Sequence, residues 1–145
     1  MKAIVQHKYG SPDVLELQDI DKPEIGDDDV LVRVHAASIH VGDWILMRGL
    51  PYILRMAFGL RKPRNKVPGM DIAGKVEAVG KNVTQLRPGD EVFGWCKGAF
   101  AEYARAGEYN FVPKPANLTF EQAAAVPTSA FAALLRANRR LVILN

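Results

Sequence analysis

His40-Val-Gly-Asp43-Trp44 places an imidazole, a carboxylate and an indole on five consecutive residues. A histidine titrates near neutrality, so His40 suits hydrogen bonding to a substrate carbonyl or donation of a proton. It equally suits tying down loop backbone. Asp43 opens a short helical pattern, where a carboxylate caps the helix or holds the loop; direct chemistry is its other role. Trp44 and Tyr52 carry flat rings that stack on a quinone-like body or fill core. Met70-Asp71 joins a soft apolar thioether to a second carboxylate. Thr128, just beyond Val126-Pro127, suits a helix cap. Cys96 has no base in a catalytic pattern beside it and reads as a small apolar residue. His7 and His35 fall in strand patterns. A catalytic zinc needs three Cys, His or carboxylate ligands with an open position. One cysteine rules out an intramolecular disulfide and any multi-cysteine zinc site.

Several short strands must position these residues. Lys2–His7 and Val14–Ile20 read as strands, with Leu15 and Leu17 inward. In Val30–Ala37, Val30, Val32, Val34 and Ala36 share one face, opposite Arg33 and His35. Val67–Gly80 and Lys81–Gly94 read as a strand pair. Ile72, Gly74, Val76 and Ala78 lie on one face, and Arg87-Pro-Gly-Asp90 suits a type II turn. Gly74 leaves room for a backbone or a ligand to approach closely. Gly98–Ala104 and Tyr109–Pro113 read as two more strands. Gly42–Gly49 suits one or two helical turns ending at a glycine, and Pro51–Leu60 a further short helical run. Thr119 and Gln122 have capping-box spacing. Pro127 is expected to end that helix, with Thr128 or Ser129 capping another from Ala130 to about Ala137. Leu141–Leu144 suits a final strand. The expected class is mainly β with short helices, as a partly open barrel or sandwich.

The 145 residues suffice for one domain with its own core. At 48% hydrophobic and 24% charged, the composition is that of a folded globular protein. The mildly basic balance of +3 draws on Arg55, Arg61, Lys62, Arg64 and Lys66. No aromatic-and-basic platform accompanies them, so nucleic acid is not expected as a partner. A solvated loop accounts for the cluster most simply, and attraction of an anionic partner is the remaining role. No apolar run reaches the ~18 residues of a membrane span, and the first residues do not resemble a signal peptide. The expectation is a cytoplasmic protein without a membrane partner.

Taken in order, Lys2-Ala-Ile-Val5, Asp29-Val-Leu-Val-Arg-Val-His-Ala-Ala-Ser38, Gly42-Asp-Trp44, Arg61-Lys-Pro-Arg64, Val67–Gly94, Gly98-Ala-Phe-Ala-Glu-Tyr103 and Glu121-Gln-Ala-Ala-Ala-Val-Pro127 carry a family signal. Together they resemble the N-terminal, GroES-like domain of medium-chain dehydrogenases/reductases, nearest the zinc-independent quinone oxidoreductase group. The resemblance implies a GroES-like, partly open β-barrel over residues 1–126. Residues 127–145 would lead to, or replace, a Rossmann domain. It implies hydride transfer from NADPH, or less readily NADH, to a quinone, enone or similar carbonyl acceptor. It places Met70 and Asp71 by the active-site cleft with Asp43, Trp44 and Tyr52, and Thr128 facing the nicotinamide. His40 stands where quinone reductases usually have asparagine and zinc-dependent relatives have cysteine. Met70 stands where those relatives have histidine, so zinc is not expected.

No two glycines are two residues apart, so a Gly-x-Gly-x-x-Gly phosphate loop is absent from these residues. The expectation is a substrate domain without its own cofactor, inactive alone. A stand-alone or engineered folding, binding or assembly module is the alternative. Either way, an exposed cleft face would favour self-association.

Overall fold

Alternating valines build the spine of the molecule. The computed structural model describes the backbone of residues 1–143 and the side chains of residues 1–136. β1 (Lys2–Gln6) and β2 (Leu15–Asp19) form an antiparallel pair. β3 (Asp29–Ser38) is the longest strand, and its Val30 and Val32 are fully buried. It pairs antiparallel with β4 (Asp71–Val79) on one side and β6 (Tyr103–Gly107) on the other. β5 (Glu91–Trp95) joins β4, and β7 (Phe111–Pro113) completes a five-stranded sheet in the order β6-β3-β4-β5-β7. The backbone of β1 crosses to this sheet's loops. Ile4 N–H donates to the Phe100 carbonyl at 2.8 Å, and Gln6 N–H to the Lys66 carbonyl at 2.7 Å. The two sheets are thus stitched together without closing a barrel, in line with the partly open β architecture expected.

β4 lies in the middle of the sheet, and Asp71–Gly74 is buried throughout. Ile72 and Val76 join Val30, Val32, Val92 and Phe111 in the main core. Each such side chain withdrawn from water contributes about 1.5–3 kcal/mol. Ala73 points the other way, against Ala123 and Ala124 of α3 (Phe120–Ala124). Gly74 pairs with Val34, and an added methyl there would run into the Arg33 carbonyl. The close approach is therefore made by the neighbouring backbone of β3. The turn into β5 forms as expected, with Gly89 at φ 96° and Asp90 N–H on the Arg87 carbonyl at 3.1 Å.

α1 (Val41–Arg48) ends at Gly49, which takes the left-handed conformation at φ 63°. A 3-10 turn, Tyr52–Leu54, runs into α2 (Arg55–Phe58). Thr119 and Gln122 form the reciprocal capping box of α3.

Several local expectations give way. Leu17, expected inward, is 65% exposed, and Gln18 takes the half-buried place, because the two-stranded β1-β2 pair leaves much of β2 in solvent. α4 (Pro127–Ile143) starts at Pro127 rather than Ala130, because proline is tolerated at a helix's first position. The same helix continues through Leu141–Ile143, where a strand is expected; Leu144 lies outside the described residues. A short apolar run suits either element, and here the continuous helix formers before it prevail. Finally, Gly98–Glu102 forms only an isolated bridge between Ala101 and Ala3, and the strand begins at Tyr103. Gly98 (φ 85°) and Ala99 both donate to the Gly69 carbonyl, which bends the chain away from the ladder.

Candidate functional site

The end of β3 delivers His40 to the start of α1. There its Nδ1 accepts from Gly42 N–H at 2.9 Å. Asp43 answers from the third helical position, its Oδ2 accepting from His40 N–H at 3.0 Å. This reciprocal cap satisfies two of the helix's free N–H groups. It also sets the chemistry of both side chains. An accepting Nδ1 leaves Nε2 as the proton-bearing nitrogen of a neutral ring. That Nε2 is buried, has no hydrogen-bond partner and lies 3.6 Å from Asp43 Oδ2. The other carboxylate oxygen, Asp43 Oδ1, is likewise buried without a partner. Burial pushes the Asp43 carboxyl above the ordinary aspartate range. The His40 backbone bond opposes that shift, while the nearby Asp71 charge adds to it.

Asp71 opens β4 and is 1% exposed. Its Oδ1 accepts from the Thr128 hydroxyl at 2.7 Å, and its Oδ2 from Thr128 N–H at 3.1 Å. Thr128 N–H is one of the unpaired donors of α4's first turn. The cap that the sequence places on Thr128 or Ser129 is therefore supplied at this N–H by a carboxylate 57 residues away. Negative charge is favourable at a helix N-terminus, and buried carboxylates need such donors. The Cys96 thiol is pushed up to about 12, first by burial and then by the Asp71 charge, so it is inert at neutral pH.

A cavity of about 560 Å³ lies beside this group. Asp43 and Met70 belong to its wall, with Tyr9, Phe58, Pro68 and Trp95. Gln6, Arg64 and Lys97 add polar groups to the lining. The wall is mainly apolar, and Asp43 is its only carboxylate. Trp44 and Tyr52 do not line it. Each is largely exposed, with Arg48 5.0 Å from the Trp44 ring and Arg55 4.6 Å from the Tyr52 ring. His40 with Asp43 and Asp71 with Thr128 thus form two hydrogen-bonded pairs, near enough for the Asp71 charge to act on Asp43, and Met70 stands with Asp43 in the cavity wall. Tyr9 and Trp95 do not stand out in the sequence, since one ends a strand pattern and the other ends β5. Only the fold carries them to this wall. Among the described residues, no three His, Cys, Asp or Glu side chains converge as metal ligands would.

Residues 26–132 match the alcohol dehydrogenase GroES-like domain. The chain belongs to that family. It is 36% identical over 138 residues to the quinone oxidoreductase of Sus scrofa, covering 93% of this chain and 40% of that protein. It is 37% identical over 138 residues to the chloroplastic NADPH-dependent alkenal/one oxidoreductase of Arabidopsis thaliana, covering 88% of this chain and 34% of that protein. The solved quinone oxidoreductase of Coxiella burnetii superposes with a TM-score of 0.85 at 32% identity, covering 96% of this chain and 44% of that one. The chain therefore spans about 40% of the length of the quinone oxidoreductase it matches.

Proposed function

We propose that this GroES-like domain is the acceptor-binding half of an NADPH-dependent reductase acting on quinones, enones or related carbonyl compounds. The observation that carries the proposal is the mainly apolar cavity with Asp43 as the one carboxylate residue of its wall. Apolar walls with few placed polar groups suit a flat, poorly charged ligand. The names of the relatives supply the reaction class.

NADPH, when bound, supplies the hydride. This chain's residues would position the acceptor and manage its oxygen. Met70, Phe58 and Trp95 exclude water from the acceptor's body. Asp43 stands in the cavity wall, where burial raises the affinity of its carboxyl for a proton. His40 Nε2–H is a buried donor beside Asp43. The Thr128 hydroxyl spends its proton on Asp71 but keeps acceptor capacity for a carboxamide N–H of the nicotinamide. Acceptor activation would rest on positioning and these hydrogen bonds.

The test is quenching of Trp95 fluorescence by a naphthoquinone in a Trp44→Phe chain, so that one indole reports. Saturable quenching that Met70→Arg abolishes is expected. Quenching that is linear and matches free tryptophan would overturn the proposal.

A further inference from the structure

Between Asp43 and Asp71 the chain contains no acidic residue. The same stretch carries Arg61, Lys62, Arg64 and Lys66, all exposed. Among the described residues, no carboxylate lies within 4.0 Å of these four cationic groups. Directly before them, Ile53 in the 3-10 turn, Met56 in α2 and Leu60 just past Gly59 are 71%, 70% and 71% exposed. Tyr52 is 69% exposed beside them. This segment is fastened to the domain rather than loose. The Tyr9 hydroxyl donates to the Gly59 carbonyl at 2.7 Å, Arg55 Nε to the Gly49 carbonyl at 2.9 Å, and Arg64 N–H to the Phe58 carbonyl at 2.8 Å. The Arg55 guanidinium sits 4.5 Å from the Tyr9 ring and 4.6 Å from that of Tyr52. A held platform with apolar side chains outward and uncompensated cations next to them is the pattern of an interfacial segment.

We propose that residues 52–66 dock the domain on an anionic lipid surface, with Ile53, Met56 and Leu60 entering the headgroup boundary and the four cations pairing with lipid phosphates. The expectation of no membrane partner rests on the lack of a membrane span, whereas this contact needs only one face of a short segment. Charge complementarity selects anionic lipid over a neutral or acid-free partner. The platform also feeds the cavity, because Ala57, Phe58, Pro63 and Arg64 belong to both. An apolar ligand dissolved in the lipid would therefore meet the cavity wall at the docking face. Docking itself does not depend on the reductase proposal.

The experiment is co-sedimentation of the full chain with vesicles of phosphatidylcholine alone and of phosphatidylcholine mixed with phosphatidylglycerol. Binding is expected only to the anionic vesicles and is expected to fall in high salt. Each basic residue near an anionic surface contributes about fivefold, equivalent to about 1 kcal/mol, so Arg61→Gln/Lys62→Gln should weaken partition by more than about tenfold. Ile53→Ser/Met56→Ser should weaken it by at least about tenfold through lost apolar burial. All four positions are exposed, and circular dichroism and thermal unfolding should match the parent chain. No sedimentation with anionic vesicles would overturn the proposal. So would binding that Ile53→Ser/Met56→Ser leaves intact, which would mark simple basic adsorption. Light scattering that shows a lipid-free dimer lost in that variant would assign the face to a second copy instead, and would overturn it too.

Discussion

At the scale of single residues, Asp43 has the sharpest signature. Its carboxyl holds a proton more tightly in the folded chain than in the unfolded one, mainly because burial disfavours the charge. The resulting contribution to stability is full below the ordinary aspartate value of 3.8 and is lost as pH rises through the raised folded value. Asp43→Asn keeps a side-chain acceptor for His40 N–H but cannot ionise. Urea unfolding from acidic to neutral pH should therefore show the parent chain losing stability relative to Asp43→Asn. A difference that stays flat with pH would contradict this. Thr128→Val should cost about 1.5–3 kcal/mol by the same measurement, since the buried Asp71 carboxylate would lose a charge-assisted bond. Thr128→Ser should restore most of it.

Secondary-structure elements here meet through backbone contact as much as through side chains. β3 and β4 approach so closely at Gly74 that the Arg33 carbonyl occupies the space a methyl group would need. Gly74→Ala should destabilise the domain by about 1–3 kcal/mol, read from the urea midpoint, because the central ladder must shift to relieve the overlap. A neutral outcome would mean that the two strands slide apart freely. Another inter-element contact shapes the site. The N-terminus of α4 has no local polar cap at Thr128 and takes one from the head of β4. The Asp71–Thr128 pair is thus also a joint between sheet and helix, and substitutions at Asp71 or Thr128 should move stability and ligand binding together.

For the whole molecule, the governing fact is that the chain spans about 40% of a quinone oxidoreductase. The cavity and its buried carboxyl lie within the described residues, whereas no Gly-x-Gly-x-x-Gly loop occurs in the sequence. Such a loop and the helix behind it are what ordinarily hold a dinucleotide's pyrophosphate. The purified 145-residue chain is therefore expected to bind a naphthoquinone without turning it over. NADPH oxidation above a protein-free blank, followed by absorbance, would contradict that expectation. Among the described residues, no helix is long and apolar enough to cross a membrane.

Strand periodicity, the Arg87–Asp90 turn and the Thr119–Gln122 cap were legible in the sequence because each depends on near neighbours or a repeating local pattern; the GroES-like class was legible only through the resemblance to a known family. Alternation over Val30–Val34 names the core face of β3, whereas Ala36, past a register shift, packs with Ala73 and α3 instead; glycine at position 49 names the end of α1. Three features were not legible. Asp71 reaches Thr128 across 57 residues, Tyr9 and Trp95 both line the cavity, and Trp44 and Tyr52 lie exposed outside its lining. No local propensity encodes which distant side chain satisfies a free N–H, or which ring faces a void. Those outcomes follow from how the sheet and helices pack, since burial decides which polar groups must find partners and which, like Asp43 Oδ1, are left without one.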